Sequence, residues 1–405
     1  MKNFLSVMVL LLSYTSFSQH FLPLVQDTSG KNKGVIAFSS NGDYASNAMG
    51  KDIVKSFFYG GYIDQEMKNN SIQRLQNINQ FGLDMNAELV YRSKSNVSKN
   101  ENKPFYSTGM IFQAGFHSFS TVLFSKDAFR YVFEGNGLFL GDTADFSGTR
   151  FQSLAYSKIG FGLFNRNTNN SIVLNVLSLN NYSNGGISTG TIVQNTPNDS
   201  ISLTYDGGFS FANQSGFSKG LGLSFDVDYR FKTIENDRAI TFQFLAKNIG
   251  FIVPSGNVTT YQADSNFTYT GFHLDQLTQQ HLLHTDRLMD TLGIEKTTRK
   301  TMLLVPGFIQ FSKLVDMNSS KRIQSFYGAR MFLSKNYIPF FFVGAHGRVT
   351  KKWSTGISAS YGGFSQLKWG MYSSFQINRW NVGVASENLL SKTGESIIIQ
   401  VKCAF

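Results

Sequence analysis

The sequence predicts an all-β fold, a transmembrane antiparallel β-barrel, and three observations support that prediction. Apolar and polar residues alternate over stretches long enough to cross a membrane, the chain starts with an export signal, and it ends on an amphipathic strand. The composition agrees: of 405 residues, 41% are hydrophobic and only 16% are charged, which excludes a disordered chain. A single Cys excludes a fold held together by intramolecular disulfides.

Residues 1–18 are predicted to be a cleaved secretory signal peptide. Lys2 precedes an apolar run from Phe4 to Leu12, and small polar residues follow as far as Ser18. A helical span needs about 20 consecutive apolar residues, so this run is too short to anchor the chain. We therefore expect an exported protein of the cell outer membrane. Its unpaired Cys403 is expected to be an apolar wall residue rather than a reactive thiol.

The stretch from Leu221 to Phe231 shows the alternation most clearly. Every second residue is apolar, and Asp226, Asp228 and Arg230 fall on the opposite face. Its length matches the roughly 9–11 tilted residues that cross a bilayer core. The same period recurs in 81–92, 353–363 and 367–377. A soluble β-sandwich also alternates, but its strands are mostly about 5–6 residues long and its outward face is polar.

The last ten residues form an amphipathic strand that ends on an aromatic side chain. Ile397, Ile399, Val401, Cys403 and Phe405 share one face. A barrel needs such a strand because its last strand must close against its first. The strand resembles the assembly signal of outer-membrane proteins, which also end in Phe. The barrel-assembly machinery and outer-membrane lipid are therefore expected partners, and Phe405 is the expected barrel-closing residue.

A coarse assignment gives 16 strands, with short turns at 165–170, 350–352 and 377–380 on the periplasmic side. The strands are 81–94, 105–115, 117–124, 153–165, 170–182, 199–212, 219–232, 239–248, 256–270, 301–315, 321–333, 337–349, 353–364, 367–377, 380–388 and 396–405. The region 105–124 could instead be one strand, and Pro306 favours a bulge or break in 301–315. Single-chain bacterial barrels have even strand numbers, so 14 and 16 both stay open.

Two domains follow from this assignment, a barrel over 81–405 and an N-terminal segment over 19–80. The N-terminal segment lacks a clean strand pattern, so we expect a plug or a periplasmic segment, with barrel strands as the alternative. Counting backwards from the last strand places 95–104, 125–152 and 271–300 outside the cell, where long loops are expected.

The loops 125–152 and 271–300 are predicted to be partly helical caps over the barrel mouth. Their apolar residues are the candidate contacts for a ligand or partner: Phe129, Tyr131, Phe133, Phe139, Leu274, Leu277 and Leu288. The second loop also carries side chains of metal-ligand type: His273, Asp275, His281, His284 and Asp286. It has neither a Cys nor a His-Glu-x-x-His arrangement, so we expect a solvated helix and predict no metal and no cofactor.

Eight charged residues should face the barrel lumen by their position in the alternation: Asp84, Glu88, Arg92, Asp226, Asp228, Arg230, Arg322 and Arg330. They are expected to pair with one another and stiffen the interior; a charged constriction or binding surface is the functional alternative. The 37 basic and 26 acidic residues give a net charge of +11, but the basic residues are scattered, so no nucleic acid partner is predicted. No catalytic motif stands out, and no enzyme is predicted.

Residues 133–164 carry a resemblance to a known family. The run FEGNGLFLGDTADFSGTRFQSLAYSKIGFGLF, together with the signal ending FSQ and the terminal Phe405, resembles an exported barrel family of Bacteroidota that is largely uncharacterised. That family is distantly similar to long-chain fatty-acid transporter barrels and to the barrel subunit of the type nine secretion system. The resemblance implies about 14 strands and an N-terminal plug, and it transfers no catalytic residue.

Two hypotheses on function follow from the sequence. The first is passage or binding of a small hydrophobic ligand across the outer membrane by a monomeric barrel. The second is a structural or accessory role in an outer-membrane secretion or assembly complex, with a protein partner. Because a fold does not determine a function, the contents of the lumen have to decide between them.

Overall fold

The computed structural model describes residues 22–23, 34–94, 108–195, 200–212, 216–235, 238–269, 293–316, 319, 321–334 and 336–405. Its strands are β1 (Val35–Ser46), β2 (Ile78–Arg92), β3 (Thr108–Ser125), β4 (Thr143–Asp145), β5 (Arg150–Asn165), β6 (Ser171–Asn195), β7 (Ser200–Ala212), β8 (Gly220–Glu235), β9 (Arg238–Pro254), β10 (Val258–Tyr269), β11 (Ile294–Arg299), β12 (Leu303–Leu304), β13 (Phe308–Lys313), β14 (Ile323–Phe332), β15 (Ile338–Arg348), β16 (Trp353–Gly363), β17 (Ser365–Ile377), β18 (Trp380–Ser386) and β19 (Gly394–Ala404). Its α-helices are α1 (Lys51–Tyr59), α2 (Gln65–Ile72) and α3 (Lys126–Glu134), and a 3-10 turn follows α3 at Asn136–Phe139. In the part of the chain described, no helix is both long and apolar enough to cross a membrane.

Fourteen strands close into an antiparallel barrel, and the last strand pairs with the first. The order around the wall is β1, β2, β3, β5, β6, β8, β9, β13, β14, β15, β16, β17, β18 and β19, which returns to β1. Closure places Val35 opposite Ala404 and continues to Ala45 opposite Gly394. We call the end with Val35 and Ala404 the terminal end, and the end with Ser46 and α1 the loop end. Closure leaves no edge strand in the wall.

A second sheet projects from the loop end. Strand β6 is 25 residues long, and its distal part leaves the wall to pair with β4 and β7. Strand β7 pairs in turn with β10, and β10 with β11. The 16-strand assignment therefore differs from the wall in three ways. It included β7 and β10, which belong to the projecting sheet, it divided β3 into two strands, and it omitted β1.

The barrel begins at Val35, not at residue 81 as the domain prediction has it. Strand β1 lies between β19 and β2, so 35–46 is part of the wall. Residues 47–77, which contain α1 and α2, connect β1 to β2 at the loop end. All of 95–104 lies outside the described residues. However, Arg92 and Thr108 on either side of it lie at the terminal end, opposite α3, whereas the prediction placed 95–104 and 125–152 on the same side.

The outer face of the wall is an apolar belt. Alternate residues along the strands point outward and are exposed: Leu89, Phe112, Ile159, Phe161, Leu174, Leu223, Phe251, Phe311, Phe341, Val343, Ile357, Trp369, Met371, Val384 and Ile397 among others. At the terminal end, aromatic rings follow the rim, and Phe405, Tyr91, Phe112 and Phe161 form a chain with centroids 5.1–6.3 Å apart. An apolar band with aromatic residues at its border is typical of barrels that face lipid.

Candidate functional site

A cluster of buried charges crosses the middle of the lumen. The Lys158 ammonium on β5 lies 2.7 Å from Glu88 on β2 and 3.4 Å from Asp226 on β8. Lys247 on β9 lies 3.5 Å and 3.6 Å from the same two carboxylates. Two cations therefore balance two anions, as burial of charge requires. We call these four residues the charge cluster; it links one side of the wall to the other.

A β-bulge positions the cluster residues of β9. The register between β8 and β9 shifts after Phe225, and Asn248 adopts a left-handed conformation with φ of 55°. The bulge allows both Lys247 and Asn248 to point inward. Asn248 donates its backbone N–H to Asp226 over 2.7 Å, and its side-chain oxygen accepts a hydrogen bond from Lys158 over 2.9 Å. Gln113 completes the group by donating to Asp226 over 2.7 Å.

A second polar layer lies next to the charge cluster, toward the loop end. His117 shares one hydrogen bond of 2.7 Å with Asp84 and another of 2.7 Å with the Tyr156 hydroxyl. All three side chains are buried. Asp84 and the Tyr156 hydroxyl therefore hold the imidazole ring between them and fix its orientation.

A third layer closes the lumen near the loop end. Lys368 donates to Asp43 over 3.3 Å, and Asn388 donates to the other Asp43 oxygen over 2.6 Å. Glu387, in the loop after β18, is buried nearby, and Arg330 and Asp84 share the small space around it. Burial, and then the Asp43 carboxylate, raise the pKa of Glu387 to about 7, against the opposing effect of Arg330 and Lys368.

The terminal half of the lumen contains a cavity of about 320 Å³. Glu88 and Lys247 of the charge cluster form part of its floor. Four of the described residues that line it extend basic side chains inward, and one is acidic: Arg92, Arg230, Lys247 and Lys402 against Glu88. Lys313 also borders the cavity, but its ammonium donates to Ser325 on the outer face of the wall over 2.8 Å. Its other walls are largely apolar and include Val90, Leu245, Leu314, Phe326 and Phe342. Leu22 also lines the cavity and packs into the apolar cluster that contains Phe326 and Phe342.

The structure brings most of the predicted lumen charges inside the barrel. Asp84, Glu88, Asp226 and Arg330 are buried, and Asp228 binds Arg230 over 2.8 Å while Arg92 lines the cavity. Arg322 differs: it is exposed at the terminal end, because β14 begins only at Ile323 and its preceding residue lies in the turn.

The aromatic residues of loop 125–152 do not form an open ligand surface. They lie on α3 and the following 3-10 turn, where Phe129 and Phe139 are buried and Tyr131 and Phe133 are half-buried. Phe129 packs on Phe124 of the wall, so packing uses the apolar face of this helix. The predicted residues Leu274, Leu277 and Leu288, and the histidine group between 273 and 286, lie outside the described residues. Within the described residues, no group of three metal-ligand side chains occurs.

The sequence prediction named arginines for the lumen but missed its lysines. Lys158 and Lys368 are buried, and Lys247 lies at the bulge. The alternation contained a signal for Lys158, since Ile159, Phe161 and Leu163 on its strand point outward and place residue 158 inside. Lys247 had no such signal because the bulge changes the parity of β9.

Comparison with known proteins gives a family and distant structural likenesses. A family model described as "Family of unknown function (DUF5723)" matches residues 166–387, more than half of the chain. No curated protein matches the chain significantly. Similar solved structures include the toluene transporter TodX of P. putida, at 8% identity over 96% of this chain and 94% of that one, with a TM-score of 0.35. Others are a FadL homologue of Pseudomonas aeruginosa (8% identity, 92% and 90% coverage, TM-score 0.30) and the translocator domain of the autotransporter NalP from Neisseria meningitidis (10%, 94% and 90%, 0.29). Likeness at this level supports no conclusion on function.

Proposed function

We propose that this chain, which belongs to the family of unknown function DUF5723, is an outer-membrane β-barrel that binds a small anionic amphiphile in its lumen. The observation that carries the proposal is the cavity of the terminal half, which combines apolar walls with an excess of basic side chains. No catalytic step is proposed.

The outer face of the barrel supports the membrane location. A closed wall satisfies the backbone hydrogen bonds of every strand, which lipid requires, and the apolar belt surrounds that wall. We propose that the barrel is monomeric and exported through a cleaved signal peptide. The assembly machinery is proposed to recognise the C-terminal strand, in which Phe405 exchanges backbone hydrogen bonds of 2.9 and 3.0 Å with Gly34.

The charges of the cavity favour an anionic ligand. Glu88 already pairs with Lys158 and Lys247, and Asp228 with Arg230. Counted over the lining as a whole, four inward basic side chains stand against the one carboxylate of Glu88, which is an excess of positive charge. A carboxylate or phosphate head gains charge-assisted hydrogen bonds there, and an alkyl or aryl chain gains contact with Leu245 and Phe342.

The layers of side chains between the cavity floor and the loop end favour binding of the ligand over its passage, because passage would require those layers to rearrange. The charge cluster, the His117 layer and the Asp43 layer fill the lumen with buried side chains between the cavity and the loop end. A ligand that enters from the terminal end therefore meets a closed floor. Transport across the barrel would require these ion pairs to separate.

Binding of dodecanoate to the purified protein tests the proposal. Competition with the fluorescent probe 1-anilinonaphthalene-8-sulfonate should show that dodecanoate binds more tightly than dodecanol, which has the same chain without the charge. Arg92→Gln and Lys402→Gln should each weaken dodecanoate binding by roughly tenfold, the equivalent of one charge-assisted hydrogen bond.

Lys352→Gln is the matched control, because Lys352 is an exposed cation in a turn at the same end of the barrel. Its affinity for dodecanoate should equal that of the wild type. Equal binding of dodecanol and dodecanoate, or unchanged affinity in both cavity variants, would contradict an anionic site in the lumen.

The projecting sheet favours a second candidate, an accessory subunit with a protein partner. Phe151, Phe209, Phe211 and Tyr261 form an aromatic row across it, with neighbouring centroids 5.2–6.1 Å apart. Phe209→Ser should then abolish cross-linking to a stoichiometric protein in native membranes. Ser210→Ala, one residue along and on the other face, should leave it intact.

A further inference from the structure

The three helices lie against the outside of the barrel wall. Phe81 on β2 and Val122 and Phe124 on β3 belong to the outward set of their strands, because their neighbours Gln80, Gly82 and Thr121 belong to the buried, inward set. These outward residues pack with Ile53 of α1, Met67 of α2 and Phe129 of α3. The helices therefore stand beside the wall at the loop end, on the face that carries the apolar belt.

Helix α1 carries an apolar stripe that extends beyond its contact with the wall. Ile53 and Val54 are buried, and one turn later Phe57 and Phe58 are 65% and 60% exposed. At 100° per residue these four positions occupy one arc of the helix, and Asp52 lies on the opposite side. Phe57 touches Phe133 of α3 edge-on at 5.9 Å, so the stripe continues onto its neighbour.

Helix α1 stands beside the apolar belt. Lys55 binds Glu395 on β19 over 2.5 Å, which fixes the height of the helix on the wall. Ile397, an exposed belt residue, lies two positions after Glu395 on the same strand, so the Cα atoms of the two residues are about 7 Å apart. The hydrogen bond from Lys51 N–H to Lys392 C=O, at 2.9 Å, holds the start of the helix beside the same strand.

We propose that α1 is an interfacial anchor whose Phe57 and Phe58 side chains insert into the lipid at the edge of the membrane. The occupant of this surface is the headgroup and acyl-chain boundary of the bilayer, since the stripe borders the lipid-facing belt and lies outside the lumen. Aromatic rings favour this boundary, and Lys51, Asp52 and Lys55 are the polar groups that the helix turns toward headgroups and water. Gly60 and Gly61, with φ of 77° and 156°, end the helix and lead the chain back toward α2.

Spin labels in reconstituted protein test the anchor. The native thiol is removed by Cys403→Ser, and a nitroxide is attached after Phe58→Cys, Asp52→Cys or Ile159→Cys in vesicles of phosphatidylcholine and phosphatidylglycerol. The relaxation of each nitroxide is measured with oxygen, which concentrates in lipid, and with a nickel chelate, which stays in water. The label at 58 should respond to oxygen like the label at 159, and the label at 52 to nickel.

The label at 159 separates this inference from the proposed function on which it rests. Ile159 is a belt residue at 73% exposure on β5, and it pairs with Ala114, at a distance along β3 from the residues that the helices contact. If 159 responds to nickel, the barrel does not face lipid and the membrane proposal fails. If 159 responds to oxygen while 58 responds to nickel as strongly as 52, the membrane barrel stands and the anchor is refuted. Shielding of 58 only after native membrane extract is added would likewise refute it, in favour of a protein partner.

Discussion

Replacing Lys158 by Met should destabilise the barrel by about 3–5 kcal/mol, because it removes one charge from a buried, balanced cluster. The ammonium lies 2.7 Å from Glu88 and 3.4 Å from Asp226. At an effective dielectric constant of ~20, these attractions amount to roughly 6 and 5 kcal/mol before the cost of desolvating the ions. Lys247 still faces both carboxylates in the variant, so we expect a loss near the lower limit, about 3 kcal/mol.

Urea unfolding of the protein in lipid vesicles, followed by Trp fluorescence, measures this loss. A double-mutant cycle with Glu88→Gln isolates the interaction, because removing both partners leaves fewer uncompensated charges than removing one. The double variant should therefore lose less than the sum of the two single variants. Lys352→Met, at an exposed turn, should change stability by less than about 0.5 kcal/mol. Additive losses in the cycle would refute the pairing as a source of stability.

Three further predictions concern other parts of the barrel. Glu387→Gln should make the free energy of unfolding less dependent on pH. Because the pKa of Glu387 is raised in the folded state, this residue's contribution is most favourable below about pH 4.5, and about 3 kcal/mol of it is lost as the pH rises through 7. The neutral amide of the variant does not undergo this loss. An unchanged pH slope would contradict this. Gly82→Ala should cost about 1–3 kcal/mol, since the added Cβ would overlap the Phe364 ring, and Phe364→Leu should restore part of the loss. Phe405→Ala should lower the yield of folded barrel in a heat-modifiability gel, because its ring packs at 6.3 Å on Tyr91, whereas Phe375→Ala, elsewhere on the belt, should change it less.

The alternation of the sequence predicted the wall because each strand carries its own signal for lipid and lumen. Strand β8 is the clearest case, with Leu221 and Leu223 exposed outside and Asp226 buried inside. The sequence prediction missed strand β1 because this signal is weak there. Its outward face includes Ser40 and Gly42 beside Ile36 and Phe38, so the contrast between its faces is weak, and only pairing with β19 and β2 identifies it.

The candidate site was less predictable because its contacts join residues far apart in the chain. The alternation along their strands predicted that Glu88 and Asp226 point into the lumen. Because these residues are far apart in the sequence, nothing indicated that Lys158 would lie between them. The bulge at Asn248 reverses the parity of β9, which hid Lys247. The helices of 47–77 and 125–152 showed their apolar residues in the sequence, but not that these pack on the outer wall instead of over the mouth.

The balance of charge within the lumen determines how a ligand would lie in the cavity. The charge cluster at the floor is neutral as a group, so it gives little attraction to an anion. The excess of basic side chains lies instead at the strand ends, where Arg92 and Lys402 border the terminal opening. Leu245 and Phe342 lie deeper along their strands. An amphiphile therefore gains most with its anionic head at the rim and its apolar chain directed inward, an orientation that the closed floor stabilises by limiting the depth of insertion.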